Sequence, residues 1–170
     1  VYFNKTIDVA GSGDIGGKIV LKDSSFLLFT EGLDSTNKYL LSNYELSLKG
    51  NQLNNIKIIN TNNLVQGGLG ASSNGKGIVT DSIILSQSII IYSSISADVL
   101  ICKYDFFGDT VWMENYKIRE YDAAISSVLV GSKYYISGYS MGHNGANFTD
   151  TKGLLLKIDT NGVKQWHKLY

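Results

Sequence analysis

Three features are missing from this sequence of 170 residues: proline, a second cysteine and a long apolar run. A single cysteine excludes an intrachain framework of disulfide bonds. Apolar runs of only a few residues predict that no segment inserts into a membrane, because a transmembrane helix needs ~20 apolar residues. Cys102 lies in one such run, Val99–Cys102. We therefore expect it to be a buried small hydrophobic residue rather than a reactive thiol.

An excess of charge is missing too, since 15 basic and 15 acidic residues cancel. Without a basic surface, nucleic acid is not an expected partner, and neither is an anionic membrane. Helical periodicity is also absent, because apolar residues nowhere recur at three-four spacing over a full window. A hydrophobic fraction of 44% nevertheless indicates a chain that folds around a core.

What the sequence does contain is 18 glycines with many Ser, Asn, Ile and Tyr residues, which is typical of short strands joined by tight polar turns. The clearest case is a pair of apolar-rich arms, Leu154–Asp159 and Val163–Tyr170, on either side of Thr160-Asn161-Gly162. Asn-Gly between such arms predicts a β-hairpin with a type I′ turn at Asn161 and Gly162.

The same hairpin occurs earlier in the chain, because Lys103–Tyr116 and Lys157–Tyr170 share the pattern K-[IY]-D-x-x-G-x-x-x-W-x-x-x-Y. A weaker copy has Ser47 at the Asp position. When the copies are aligned, four residues fall at the same position, about fifty residues apart: Phe3, Asn54, Trp112 and Trp166. This interval is typical of the four-stranded blades of β-propellers. Because the aromatic residues recur, we expect Trp112, Trp166, Tyr116 and Tyr170 to pack between neighbouring sheets.

This repeat resembles the blades of secreted bacterial β-propellers, and in particular the Kelch-like or quinoprotein-like repeats in exported surface proteins of type IX-secreting bacteria. The resemblance implies an extracellular or cell-surface protein, usually without known catalysis. It transfers no active-site residue to this chain and no quinone cofactor.

The sequence therefore predicts one all-β repeat domain over residues 1–170, with an extra outer strand at 1–9 and four-stranded antiparallel units at 10–58, 59–118 and 119–170. Propellers close with about four to eight blades, so three units predict part of a longer propeller. The alternative is a compact three-bladed or sandwich-like all-β body completed by a partner. Further blades of the same chain or a larger surface assembly are also candidate partners.

Strand patterns within the units are less regular. We expect a glycine-rich turn at Ala10–Gly17 in the first unit and separate strands at Gly77–Leu85 and Ser88–Ser93 in the second. In the third unit, strands at Ala123–Val130 and Lys133–Tyr139 precede a long polar loop, Ser140–Lys152.

Motifs for cofactors and metals are incomplete. Gly11–Gly16 spells G-x-G-x-x-G, but a strand pattern follows where a dinucleotide site needs a helix. Asp159–Gly162 begins like a calcium loop and lacks its closing Glu, so we interpret Asp159 as a turn residue that accepts backbone N–H bonds. His143 and His167 have no partner at ligand spacing. We expect no catalytic residue, metal or cofactor.

The segments that do not repeat are the better candidates for function, because insertions in repeat proteins often form binding loops. Ser140–Lys152 predicts a binding site for a protein or glycan partner, made by five residues: His143, Asn144, Asn147, Phe148 and Asp150. One alternative is a carbohydrate-active propeller enzyme with paired carboxylates such as Asp81 and Asp122. The other is a structural subunit of a surface or secretion assembly.

Overall fold

A computed structural model describes residues 12–33, 39–49, 51–54, 57–59, 83–93, 96–105, 107–144 and 147–170. These residues form eleven β-strands and no helix, which confirms the prediction of an all-β protein. None of the described segments is a helix long and apolar enough to cross a membrane. The chain divides into two compact units, Val1–Gln66 and Gly67–Tyr170. The predicted strand at residues 1–9 lies outside the described residues.

The described part of the first compact unit, Val1–Gln66, forms four strands, β1 (Ser12–Leu21), β2 (Ser25–Leu33), β3 (Tyr39–Ser47) and β4 (Lys57–Ile59). They form an antiparallel sheet in the order of the chain. Leu27 on β2 and Leu46 near the end of β3 are buried. The sequence predicts four antiparallel strands for one repeat, and a meander of this kind needs only short connections between its strands.

The predicted glycine-rich turn at Ala10–Gly17 is wrong over its described part, because Ser12–Gly17 belongs to β1. The pairing with β2 shifts register between Ser12 and Ile15 and again between Gly16 and Lys18. Each shift leaves extra residues in β1, as in a β-bulge, and glycine in a strand often marks such a site. The glycines therefore produce irregular pairing rather than a turn, and no helix follows the G-x-G-x-x-G spelling.

The described residues of the second compact unit, Gly67–Tyr170, form seven strands: β5 (Ile83–Ser93), β6 (Ser96–Asp105), β7 (Thr110–Tyr116), β8 (Tyr121–Val130), β9 (Lys133–Asn144), β10 (Asn147–Asp159) and β11 (Lys164–Leu169). They form one strongly curled, mixed sheet. Strands β8 to β11 are a four-stranded antiparallel meander, and β5 to β7 are a three-stranded one.

In the part of the chain that the structure describes, one parallel bridge joins the two meanders. β5 pairs along one edge of β6, while β7 pairs with residues 99–104 on the other edge. On that second edge Ala97 of β6 pairs with Tyr121 of β8, and the Ala97 amide donates a hydrogen bond of 2.9 Å to the carbonyl oxygen of Glu120. β8 therefore begins beside β6 at the point where β7 has ended.

Two predictions of strand boundaries are wrong. The proposed break between Gly77–Leu85 and Ser88–Ser93 is not present in the described part, because β5 runs continuously from Ile83 to Ser93. The predicted polar loop Ser140–Lys152 is instead the end of a hairpin, since β9 continues to Asn144 and β10 begins at Asn147. The predicted strands at Ala123–Val130 and Lys133–Tyr139 are confirmed as parts of β8 and β9.

The core described for the second unit contains side chains of five strands, β6 to β10. Val99 and Ile101 of β6 pack with apolar side chains of β8, β9 and β10, and Tyr116 of β7 belongs to the same cluster. The remaining buried members are Ala124, Tyr134, Ile136, Leu154, Leu156 and Ile158. Complete burial of one such aliphatic side chain contributes about 1.5–3 kcal/mol. Cys102 is also buried, at 1% exposure, as the sequence predicts.

The turns of the two K-x-D-x-x-G hairpins have the same hydrogen bonds. In each, the Gly amide donates to the Asp carbonyl oxygen at 3.1 Å, and the Asp amide donates to the carbonyl oxygen of the residue after Gly at 3.0 Å. Oδ1 of Asp105 accepts from the amides of Phe107 and Asp109, and Oδ1 of Asp159 accepts from those of Asn161 and Val163, all at 2.9 Å. The prediction that Asp159 accepts backbone N–H bonds is confirmed.

The predicted type I′ turn at Asn161 and Gly162 is wrong. The turn spans Asp159–Gly162, so Gly162 is its last residue, with φ of +85°. A type I turn followed by a left-handed residue and a bulge gives this pattern. The bulge is visible as a register shift between Lys157 and Ile158. Glycine is needed at the last position because other residues rarely adopt this φ.

Ser47 of the first unit replaces the turn aspartate, as the sequence alignment predicts. Its Oγ accepts hydrogen bonds from the amides of Lys49 (3.3 Å) and Asn51 (3.0 Å). The Ser47 amide donates to the Asn51 carbonyl oxygen at 2.8 Å. The weakest copy of the repeat therefore keeps the turn with a hydroxyl in place of a carboxylate.

Candidate functional site

The five predicted binding residues lie where β9 ends and β10 begins. We call residues 140–144 and 147–152 the hairpin end. Asn144 pairs with Asn147, and His143 pairs with Phe148. The next pair is Gly142 with Asp150, so the register shift leaves Thr149 as an extra residue. Asn144, Asn147, Phe148 and Thr149 are exposed, and the polar side chains thus lie on paired strands rather than on a loop.

An ion pair connects the hairpin end to the segment before β8. Nη2 of Arg119 lies 2.8 Å from Oδ1 of Asp150, and the hydroxyl of Thr149 donates to the same oxygen at 3.2 Å. The hydrogen bond from Arg119 lowers the pKa of Asp150, and the same bond raises the pKa of Arg119. Both side chains are therefore charged at neutral pH and fix each other's position.

Gly142 makes room for this ion pair. A Cβ atom at Gly142 would come within 2.1 Å of Nη2 of Arg119 and 2.8 Å of Oδ1 of Asp150. Contacts this short do not occur in folded proteins, so any larger residue would displace the guanidinium group. The glycine thus permits Arg119 to lie across β9 against Asp150.

An aromatic pair lies at the same place. The rings of Tyr121 and Phe148 are 5.5 Å apart between centroids and nearly perpendicular, at 84°. This edge-to-face arrangement is favourable for aromatic rings. Phe148 is 44% exposed. The pKa of Tyr121 is raised, mainly by burial of its side chain and to a smaller extent by the nearby Tyr139. Tyr121 is the more enclosed of the pair, and Phe148 offers its surface to solvent.

Two nitrogen atoms at the hairpin end are buried without a hydrogen-bond partner among the described residues: Nη1 of Arg119 and Nδ1 of His143. Buried polar atoms are normally satisfied. The surface of the hairpin end therefore presents an exposed aromatic ring and two exposed amide side chains, while these two nitrogen atoms lie beneath it. Such a set can bind a polar ligand that also has a hydrophobic face.

Sequence reasoning missed Arg119 and Tyr121, because the pairing of β8 with β9 brings them to the hairpin end. Tyr121 pairs with Met141. One signal could have indicated Arg119, which is the only arginine in the chain. Asp122 holds this segment in place, since its Oδ2 accepts hydrogen bonds from the amides of Ile118 (2.7 Å) and Arg119 (2.8 Å).

The surroundings of Asp122 indicate a structural role for this residue. It is fully buried, and the two backbone amides occupy one of its oxygens. Its suggested partner in catalysis, Asp81, lies outside the described residues. Within the described ranges, no group of three or more His, Cys, Asp or Glu side chains is arranged to hold a metal ion.

The recurring aromatic residues of the β6–β7 hairpin contact the turn of the β10–β11 hairpin, the next copy of the repeated motif. Nε1 of Trp112 and Nζ of Lys103 donate hydrogen bonds of 3.0 and 2.9 Å to the carbonyl oxygen of Thr160. The hydroxyl of Tyr116 donates to the carbonyl oxygen of Gly162 at 2.5 Å. Trp112 and Tyr116 thus contact the next copy of the hairpin within the same sheet, rather than a neighbouring sheet as predicted. The prediction of packing between sheets is wrong for Tyr170, which is 73% exposed, and Trp166 is only partly buried.

No protein-family model matches the chain. No curated protein matches it either.

Proposed function

We propose that this protein is a non-enzymatic interaction module that binds a glycan through the hairpin end. The observation that carries the proposal is the exposed ring of Phe148, which packs edge-to-face against Tyr121 at a hairpin end where Asn144 and Asn147 are also exposed. Aromatic rings provide rigid apolar area, and amides provide both donors and acceptors. A sugar ring has one apolar face and a rim of hydroxyls, which fits this combination.

A protein partner is the second candidate for the same surface. The ion pair of Arg119 and Asp150 presents both charges close to an exposed aromatic ring. Protein interfaces are enriched in aromatic residues and arginine. The small number of exposed aromatic residues at the hairpin end favours the glycan, because a protein interface needs a larger patch.

The wider setting of the proposal is a β-propeller, or part of one, on an exported or cell-surface protein. The four-stranded meanders β1 to β4 and β8 to β11 support this, since each has the strand order of a propeller blade. The shared turn geometry of the repeats supports it as well. The carbohydrate-active enzyme stays the alternative with less support, because the buried Asp122 already accepts two backbone hydrogen bonds.

The experiment that tests the proposal is a binding screen of the purified chain on a glycan array, followed by titration of the best ligand. We expect Phe148→Ala to weaken binding at least about tenfold, since removing a central aromatic contact often costs more than 1.4 kcal/mol. Asn144→Ala and Asn147→Ala should each weaken it by a smaller factor.

Phe107→Ala is the matched control, because Phe107 is also an exposed phenylalanine, at 72%, but belongs to the turn between β6 and β7. It should leave binding unchanged. Equal losses from Phe107→Ala and Phe148→Ala, or no glycan bound at all, would contradict the proposal. Release of shortened sugar products from the array would favour the enzyme instead.

A further inference from the structure

Three residues of the β6–β7 hairpin form what we call the turn receptor: Lys103, Trp112 and Tyr116. Together they donate three hydrogen bonds to two backbone carbonyl oxygens of the β10–β11 turn, those of Thr160 and Gly162. Lys103 and Trp112 are directly opposite each other in the ladder, so both reach the same oxygen. The receptor therefore recognises the backbone of a turn rather than particular side chains.

The fit depends on the shape of the bound turn. A Cβ atom at Gly162 would lie 3.1 Å from Cγ of Glu114 and 3.2 Å from Cε3 of Trp112, and φ at this glycine is +85°. The indole ring therefore packs directly against the glycine. Both the left-handed φ and the close contact require glycine at the last position of the turn.

The β10–β11 hairpin carries the same three residue types at the same positions. Lys157 is directly opposite Trp166, as Lys103 is opposite Trp112, and a register shift follows in both ladders. Tyr170 stands four residues after Trp166, as Tyr116 does after Trp112. This second set lies on the surface, because Lys157 and Trp166 are only partly buried and Tyr170 is 73% exposed.

The lysine of the second set has a different contact from that of the first. Nζ of Lys157 lies 5.3 Å from the ring centroid of Tyr135 and 5.7 Å from that of Trp166. Nζ of Lys168 lies 5.7 Å from the Trp166 ring as well. Cation–π contacts at exposed sites are weak. An ammonium group held this way can turn to a carbonyl oxygen that arrives beside the indole.

We propose that Lys157, Trp166 and Tyr170 are a second turn receptor, which binds the Asp-x-x-Gly turn of a further repeat joined after Tyr170. The proposal rests on continuity with the observed contact, because the same donors in the same register hold the β10–β11 turn within this chain. It is independent of glycan binding at the hairpin end, which involves none of these three residues.

The test compares the 170-residue chain with an extended chain in which a second copy of residues 117–170 follows Tyr170, so that the spacing between receptor and turn is kept. Hydrogen exchange of the indole N–H groups is measured by NMR, with assignment through Trp112→Phe and Trp166→Phe. In the 170-residue chain, Trp112 should be protected and Trp166 should exchange rapidly. In the extended chain Trp166 should become protected, and the tryptophan of the added copy should exchange rapidly instead.

The matched variants are Tyr116→Phe and Tyr170→Phe, each of which removes one hydroxyl. Tyr116→Phe should lower the melting temperature of both chains, whereas Tyr170→Phe should lower only that of the extended chain. Unchanged exchange at Trp166 after extension would overturn the proposal. So would an added copy that stays unfolded by circular dichroism, because a working receptor stabilises it. Protection of Trp166 in the 170-residue chain through self-association would show a second copy as the occupant and would also overturn it.

Discussion

The indole nitrogen of Trp112 lies 3.0 Å from the carbonyl oxygen of Thr160, a residue 48 positions further along the chain. The two residues belong to successive copies of one hairpin motif, and Nζ of Lys103 donates to the same oxygen. A carbonyl oxygen has two lone pairs and can accept both bonds. The motif therefore has two roles, since one copy donates hydrogen bonds with its side chains and the next accepts them with its turn.

Removal of the indole donor should weaken this contact. Trp112→Phe keeps an aromatic ring beside Gly162 but loses the bond to Thr160, so we expect the free energy of unfolding to fall by about 1–2 kcal/mol. Trp166→Phe is the control, because Trp166 makes no such hydrogen bond among the described residues, and it should cost clearly less. Urea unfolding followed by circular dichroism measures both, and equal losses would count against the role assigned to Trp112.

The turn aspartate can be tested with a residue that the chain itself uses. Asp159→Ala removes the acceptor of the Asn161 and Val163 amides and should lower the free energy of unfolding by about 1–2 kcal/mol. Asp159→Ser should recover part of this loss, because Ser47 accepts the corresponding two amides in the first unit. If serine is no better than alanine in thermal unfolding, the carboxylate acts in another way.

Two glycines in neighbouring strands of the β8–β11 meander should respond differently to alanine. A Cβ atom at Gly138 would lie 1.9 Å from the backbone oxygen of Ala123, whereas one at Gly153 has its nearest neighbour, Cβ of Tyr170, at 3.9 Å. Gly138→Ala should therefore destabilise the protein by about 3 kcal/mol or prevent folding. Gly153→Ala should be neutral or slightly stabilising. A folded Gly138→Ala variant of unchanged melting temperature would contradict the observed strand packing.

The ion pair at the hairpin end should be visible in the titration of Asp150. The hydrogen bond from Arg119 lowers the pKa of this carboxyl below its ordinary value of 3.8. A lowered pKa in the folded state means that the carboxylate contributes stability above pH 3.8, and this contribution is lost as the pH falls through the folded-state pKa. Carbon-detected NMR should give a midpoint below 3.8 for the wild type and a higher one for Arg119→Gln.

Arg119→Lys tests whether charge alone is enough. Lysine keeps the positive charge but lacks the planar guanidinium group, so we expect it to leave the Asp150 pKa between those of the wild type and Arg119→Gln. Gly142→Ala should raise the Asp150 pKa as well, because the added methyl group occupies the place of Nη2 of Arg119. If neither variant moves the midpoint, the ion pair does not control this carboxyl.

The repeated hairpins could be predicted because their signals are local. The spacing of Asp159, Gly162 and Trp166 repeats in Asp105, Gly108 and Trp112, and turn chemistry at these positions follows from residue type. The exact turn could not be predicted, since Asn-Gly is compatible with both a type I′ turn and a type I turn with a bulge. Which of them forms is fixed by the register of the flanking strands.

The hairpin end could not be predicted as strand for a different reason. Strand prediction depends on alternating apolar residues, and most side chains from Asn147 to Gly153 are exposed on both faces of the ribbon. Backbone pairing with β9 forms these strands without an apolar face. The binding residues themselves were identified by their polarity, whereas Arg119 and Tyr121 reach the site through long-range pairing that no local pattern reveals.

The chain order of the turn receptor has a consequence for synthesis. Lys103, Trp112 and Tyr116 all leave the ribosome before Thr160 and Gly162, the residues whose carbonyl oxygens they bind. Because synthesis is slower than the folding of a hairpin, the earlier hairpin can serve as a finished template when the later turn emerges. Growth of this part of the protein is then directional, because the completed β6–β7 hairpin aligns the β10–β11 hairpin made after it.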